Sequence, residues 1–275
     1  MGNIDIKNAP VGVFDSGVGG LTVAREIMRQ MPNERIVYFG DTARVPYGSK
    51  SKATIIRYSR QIINFLKTKE VKAIVVACNT ASAYALEELR GELDIPIIGV
   101  VKPGAEVAAN ITKNGKIGVI GTVGTIESKL YNKCIREHNE SAEVFGTPCP
   151  LFVPLVEEGW INDTVTMEVA KRYLAPLQDT GIDTLILGCT HYPLLRNLIG
   201  EIMGNDVTLV NPAYETAVKL SKMLEESGIK CDAPVKARAP HEFFVSDAAE
   251  RFMSFANSIL PYDVDTTKVV SIEEY

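Results

Sequence analysis

Residues Leu185 to Leu195 read LILGCTHYPLL: an aliphatic run, a glycine, a cysteine, a polar pair and, past one tyrosine, a proline. Short apolar runs of this kind suit strands covered on both faces, so a buried strand is expected to end abruptly at a thiol. Residues 74–83, IVVACNTASA, repeat the same grammar. The chain places a cysteine at the end of a strand twice.

Outward from these two segments, β-branched runs recur along the chain: PVGVFD, RIVYFGD, KAIVVAC, PIIGVV, KIGVIGT, AEVFGT, DTLILGC, DVTLVN and HEFFVSD. Between most of them lie stretches of helical period such as LTVAREIMRQM, KATIIRYSRQIINFLKT and TAVKLSKMLEES. The alternation predicts an α/β fold with largely parallel sheets. Gly12-Val13-Phe14-Asp15-Ser16-Gly17 resembles Gly118-Val119-Ile120-Gly121-Thr122-Val123, and each precedes one strand-Cys segment by about 65 to 70 residues. Two similar, Rossmann-like α/β halves are therefore expected. Pro and Gly near Val101-Lys102-Pro103-Gly104, and Asn211-Pro212, mark the boundaries. They divide the chain into 1–102 plus 211–275, the last segment packing back on the first half, and 103–210.

Composition narrows the function. With 29 Lys and Arg against 34 Asp and Glu the net charge is -5, and no basic block is present to track a phosphate backbone, so nucleic acid is not an expected partner. No apolar run approaches the ~18 residues of a membrane span, and the start lacks a secretory layout, so a soluble cytoplasmic protein is expected. Five cysteines without a CxxC pair read as free thiols.

In open α/β sheets ligands sit beyond the carboxyl ends of the strands, where Cys78 and Cys189 fall. Asn79-Thr80 and Thr190-His191 supply candidate helix caps and Pro193 a first helical turn, so each thiol is expected to face the positive end of a helix. That field contributes typically ~0.3 to 1 kcal/mol against a free thiol pKa near ~8.5, which gives only partial ionisation at neutral pH. His191 is the nearest proton partner for Cys189. Asp15, on the same sheet edge as Cys78, opposes a thiolate, and its work is to accept the thiol's hydrogen bond, relay its proton or hold a substrate ammonium.

Other readings compete. Asp15-Ser16-Gly17-Val18-Gly19-Gly20 resembles a dinucleotide fingerprint, with Asp41 placed as a ribose acid, but Thr22 stands where the third glycine belongs. The glycines instead suggest backbone amides approaching a small anion, with Ser16 adding a hydroxyl. A zinc site of Cys78, Cys189 and His191 lacks the usual pair spacing, and no metal is expected. Cys134, Cys149 and Cys231 read as a core residue, a cleft-side residue and a loop residue without a partner. His138 and His241 read as helix-surface and strand-start residues, and Trp160 and the Phe243-Phe244 pair as packing. Tyr47-Gly48 sits in a turn-rich loop suited to ligand contacts.

Taken together, FDSGVGGLTV, YFGDTARVPYG, VVACNTASA, GVIGTVGT, PLVEEG and LGCTHYPLL resemble, in order, segments of the glutamate racemase family, within the cofactor-independent aspartate/glutamate racemases. The resemblance runs over almost the whole chain, and it implies two pseudo-symmetric Rossmann-like domains with largely parallel sheets and the active site in the cleft between them. It implies interconversion of L- and D-glutamate without a cofactor, supply of D-glutamate for peptidoglycan, and a homodimer. It maps the catalytic pair onto Cys78 and Cys189, with Asp15 and His191 assisting. Substrate binding maps onto Asp15, Ser16, Tyr47, Gly48, Asn79, Thr80, Thr190 and His191, and auxiliary roles onto Asp41, Glu157, Thr122 and Thr125. Some relatives sense a cell-wall precursor through an N-terminal extension; with the first strand beginning near Pro10, that regulation is not carried over.

Inverting a carbon centre without a cofactor requires a proton to leave one face and another to arrive at the opposite face, which two thiols on facing halves can supply. A non-catalytic amino-acid binding protein and a related aspartate racemase are the alternatives. The PYG and CTHYPLL segments favour glutamate.

Overall fold

Ten strands and twelve helices are assigned in the computed structural model, which describes residues 6–233 and 240–275. The strands are β1 (Val11–Asp15), β2 (Ile36–Gly40), β3 (Ala73–Val76), β4 (Ile97–Gly99), β5 (Lys116–Gly121), β6 (Glu143–Pro148), β7 (Thr184–Gly188), β8 (Thr208–Val210), β9 (Glu242–Val245) and β10 (Lys268–Val269). The helices are α1 (Leu21–Gln30), α2 (Lys52–Lys67), α3 (Asn79–Tyr84), α4 (Leu86–Arg90), α5 (Val101–Ile111), α6 (Val123–Glu127), α7 (Leu130–His138), α8 (Phe152–Glu157), α9 (Thr164–Gln178), α10 (Arg196–Met203), α11 (Pro212–Glu226) and α12 (Ala249–Ile259).

The strands form two all-parallel sheets, ordered β10-β9-β2-β1-β3-β4 and β6-β5-β7-β8. Alternation along β1 shows why both faces must be covered. Val11 and Val13 join the core under α1, α11 and α12, whereas Phe14 joins the core under α2, α3 and α4. In β7, Leu185 and Leu187 pack toward α8, α9 and α10, and Ile186 toward α5 and α7. Side chains of period two thus feed two cores per sheet.

The order β2-β1-β3-β4 in the first sheet matches β6-β5-β7-β8 in the second. In each, the chain steps outward from a central strand (β1 or β5), then crosses to that strand's other side (β3 or β7). The reversal opens a crevice at the carboxyl ends of the two strands, where an open sheet of this kind binds ligands. Cys78 follows β3 and Cys189 follows β7, so each thiol stands at a reversal point.

All nine strands anticipated from the sequence are present, and β10 is an added two-residue edge strand. Val101-Lys102-Pro103-Gly104 follows the end of β4 at Gly99, so the strand-like run stops there. It is the first turn of α5, where Pro103 forfeits no helical hydrogen bond. Asn211 likewise begins a helix: its Oδ1 accepts the Ala213 amide of α11 at 3.1 Å. Strands β9 and β10 extend the first sheet beyond β2. Among the described residues no helix is long and apolar enough to cross a membrane.

One buried ion pair anchors the amino-terminal ends of the first sheet. Lys72 Nζ lies 2.6 Å from Glu34 Oε2, with side chains 0% and 1% exposed, and also donates to the carbonyls of Lys7 and Ile229 at 2.8 Å each. Glu34 Oε1 accepts the Cys231 amide at 2.8 Å. Cys231 is therefore no unpartnered loop residue; its sulfur also approaches Asn8 Oδ1 at 3.8 Å. Lys72→Met would leave the Glu34 carboxylate buried and unpaired, and is expected to lower unfolding stability by about 3–5 kcal/mol. Urea denaturation of the variant against wild type checks this.

Candidate active site

The carboxyl edges of the two sheets enclose one small cavity. The first sheet's side contributes Ser16 and Gly17 after β1, Val45 to Gly48 after β2, and Cys78, Asn79 and Thr80 after β3. The second contributes Thr122 after β5, Val153 and Glu157 on α8, and Cys189, Thr190 and His191 after β7. The free space is about 50 Å³, enough for a few ordered waters. Its lining contains no Lys or Arg.

Cys78 caps α3 itself: its Sγ accepts the Ala81 amide at 3.5 Å and the thiol lies 3.6 Å from Ser16 Oγ. The helix is only six residues long, and its field does not prevail. Burial, then the charge of Asp15, push the Cys78 thiol from 9.0 up to about 12, with the charge on Cys189 adding to the rise. The expectation of a partly ionised thiol fails here because desolvation of a buried sulfur outweighs one short helix.

Cys189 is built differently. The chain after it does not enter an α-helix; it forms a 3₁₀ turn over Tyr192–Leu195, and α10 begins only at Arg196. The polar partner is His191, whose Nδ1 is 3.8 Å from Cys189 Sγ and whose Nε2 is 3.0 Å from Glu157 Oε1. Glu157 in turn faces Arg251 of α12 at 3.6 Å. Burial opposes charge on His191, but the hydrogen bonds to Cys189 and Glu157, and their charges, lift it from 6.5 to about 10. Burial likewise works against the Glu157 carboxylate, yet the bond to His191 holds it below its ordinary range.

Asp15 lies beneath the cavity rather than in its wall. It is fully buried, Oδ2 accepts the Gly17 amide at 3.0 Å, and Oδ1 has no partner. Burial dominates and pushes the carboxyl up, against the charge of His191 and the amides of Gly20, Gly17 and Ser16, which lower it. One amide of the glycine-rich loop, that of Gly17, is thus turned to Asp15 Oδ2. Gly19 serves close packing: a Cβ there would meet Thr190 Oγ1 at 2.4 Å and the His191 ring at 2.5 Å. Gly48 is similar, its Cβ position 2.8 Å from Thr122.

Asp41 also stands behind the wall. Its carboxylate receives Arg44 Nε at 2.8 and 2.9 Å, the Ser246 hydroxyl at 2.9 Å and the phenol of Tyr47, which holds Tyr47 in place. It is a supporting acid, with no ribose-like role. Thr80, Thr122 and Thr125 form a triangle of hydroxyls at 2.9, 3.0 and 3.3 Å across the cleft, and Thr125 lies outside the lining.

Sequence patterns missed Val45, Pro46 and Val153 in the lining, and two buried hydroxyls. Thr22 Oγ1 donates to the Thr190 carbonyl at 2.8 Å, and Tyr131 Oη donates to Asn79 Oδ1 at 2.7 Å. Nothing local distinguishes these two, because each acts on a residue from the other half. Cys134 and Cys149 are buried in the second sheet's cores, Cys149 with its thiol directed at the Thr147 carbonyl. His241 is at a strand start, accepting the Ile36 amide at 3.0 Å. Phe243 and Phe244 are core, but Trp160 is 49% exposed and not a packing residue. Among the described residues no three His, Cys, Asp or Glu side chains gather to hold a metal ion.

Comparison with known proteins fits this geometry. A family profile described as Asp/Glu/Hydantoin racemase matches residues 16–220. The chain belongs to that racemase family. It is an amino-acid racemase, an isomerase. The glutamate racemase of Geobacter metallireducens is 49% identical over 263 residues, 96% of this chain and 97% of that one. The solved glutamate racemase isoform RacE1 of Bacillus anthracis has a TM-score of 0.92 at 44% identity, covering 96% of this chain and 98% of that one. The Francisella tularensis glutamate racemase, solved with D-glutamate, scores 0.90 at 39% identity, covering 98% and 100%. At 15% identity and a TM-score of 0.57, with 80% of this chain and 94% of the other covered, the Picrophilus torridus aspartate racemase shares the fold alone.

Gly19→Ala is expected to displace the Thr190-His191 segment and lower racemase kcat/KM about 100-fold, the scale of an ångström's misplacement of reacting groups. Initial rates on the purified variant check it. His191 also makes stability depend on pH. Its folded pKa is raised, so its contribution is full below about 6.5 and is lost as pH rises through about 10. The stability gap between wild type and His191→Gln should therefore be widest in acid and close across that window; urea midpoints measured from pH 6 to 10 test it.

Proposed function

We propose that this chain interconverts L- and D-glutamate by moving protons at Cα between two cysteines, Cys78 on one face and Cys189 on the other. The observation that carries the reading is that both sulfurs, from opposite sheets, line the same cavity. The lobes are taken as residues 1–102 with 211–275, and 103–210. Assignment of glutamate rests on relatives such as those of Geobacter metallireducens and Chlorobaculum tepidum, the latter 47% identical over 97% of each chain.

The α-proton of an amino acid is far less acidic than a thiol. A buried thiolate whose conjugate acid has a pKa near 12 is a stronger base than a free one, which narrows that gap. The site gains base strength at the expense of resting ionisation. Asp15, with its own carboxyl pushed up, eases ionisation of Cys78 when it takes a proton. On the other side, His191, its pKa raised to about 10, faces the Cys189 sulfur as its proton partner, while Glu157 holds the imidazole. One thiolate and one thiol then stand ready, and their roles exchange when the opposite enantiomer enters.

With no Lys or Arg in the lining, the substrate carboxylates are bound by neutral donors: the hydroxyls of Ser16, Thr80, Thr122 and Thr190, the Asn79 amide and the Tyr47-Gly48 turn. Such fixed donors in a closed site can stabilise carbanion charge without reorganisation. A cavity sized for a few waters is too small for glutamate, so the lobes part for entry and close for reaction. No cofactor is needed by this scheme. A homodimer, a cytoplasmic location and supply of D-glutamate to peptidoglycan rest on the family resemblance.

Three measurements decide it. In heavy water, turnover of either enantiomer should place deuterium at Cα of the product. Cys78→Ala and Cys189→Ala should each abolish racemisation, followed by chiral chromatography; full activity in either variant would refute the pairing. Rates on glutamate should exceed those on aspartate, and binding of glutamate without racemisation would instead support a binding protein.

A further inference from the structure

We infer that Tyr131, which does not line the cavity, is a positioning residue that sets which end of the Asn79 amide faces the substrate. The inference rests on the reading of this site as a glutamate-binding cleft. Asn79 follows Cys78 directly and lines the cavity. Its side chain has a donor end and an acceptor end of nearly equal size, so shape alone does not choose between them. Tyr131, on α7 and 2% exposed, reaches across from the other lobe and donates to Asn79 Oδ1 at 2.7 Å. With Oδ1 held, Nδ2 is the end left for the cleft.

The reverse arrangement is disfavoured on its own terms. If Nδ2 turned to the phenol, Tyr131 would accept, and its own proton would be buried without a partner, a loss of the size of a desolvated donor. The phenol stays protonated, because burial and the charges of Cys134 and Cys189 push its pKa well up. Its ring is fixed beside β7: a Cβ at Gly188 would sit 3.1 Å from it. The choice matters because the lining has no Lys or Arg, and its imidazole, His191, is taken up by Cys189 and Glu157, which leaves no free cation there to overrule a misplaced carbonyl. An Asn79 oxygen aimed at a substrate carboxylate would repel it. Since the two residues come from different lobes, the amide is oriented only when the lobes are together.

The test is a double-mutant cycle on KM and kcat with both enantiomers. Tyr131→Phe, which keeps the ring, is expected to raise KM for L- and D-glutamate about tenfold or more, with a much smaller change in kcat. In an Asn79→Ala background the same change should shift KM less than about twofold, because the group it orients is gone. An unchanged KM in Tyr131→Phe, or equal losses in both backgrounds, would overturn the inference; equal losses would mean a general structural role. Should turnover in Asn79→Ala be undetectable, the cycle is run on the Kd of D-glutamate by calorimetry. Should Tyr131→Phe not fold, Asn79→Asp, with acceptors at both ends, must raise KM at least as much as Asn79→Ala, and a wild-type KM would refute the role of amide orientation. A wild-type chain that neither binds nor racemises glutamate would defeat the functional reading itself, an outcome distinct from all of these.

Discussion

The carboxyl edges of two parallel sheets face each other closely enough that sulfurs from both line one buried cavity, and every other feature of the site follows from that apposition. It is held by contacts that cross the cleft in small steps. Thr22 grips the Thr190 carbonyl, Thr80 meets Thr122 and Thr125, Tyr131 holds Asn79, and Gly19 leaves room for Thr190 and His191. Most are short side chains or a missing Cβ, and at Gly19 added bulk would collide with the facing segment; Tyr131 instead spans the gap with a buried ring. Hydroxyl pairs also form and break at modest net cost in water, which suits the parting of the lobes proposed for substrate entry.

Burial then governs the electrostatics. A thiol at a helix start in water would be tipped toward ionisation, but the pocket that excludes water from Cys78 pushes it the other way, and Asp15 adds to the push. The two sides resolve the same problem unequally. Cys78 has a hydroxyl, an amide and a buried acid nearby, whereas Cys189 has an imidazole held by Glu157, which Arg251 faces from the far end of the chain. The pseudo-symmetry is one of backbone topology, and it does not extend to the groups that surround the sulfurs.

Much of the fold was legible in the sequence because the signals are local. Short unbroken apolar runs such as VGVFD and LILG, buried at every position and ended by glycine and polar turns, mark strands wherever they sit, and all nine anticipated strands formed. The misreadings were also local, for a physical reason. Pro193 does sit in a first helical turn, but the turn closes i to i+3 hydrogen bonds and delays α10 to Arg196, so Cys189 does not face an α-helix start. Trp160, assigned to packing by its size, lies half exposed because it falls in the turn between α8 and α9.

The sequence by itself determined which residues end at strand edges and which chemistry they bring: two thiols, an acid, an imidazole, and a set of hydroxyls and amides. These depend on neighbours a few residues away. Only the tertiary structure decided which groups face the cavity and which stand behind it, placing Asp15, Asp41 and Thr125 out of the wall and bringing Thr22 and Tyr131 to residues more than fifty positions distant. It also decided the direction in which Cys78 titrates. Desolvation and cross-lobe hydrogen bonds are properties of the assembled cleft, and no stretch of chain carries them alone.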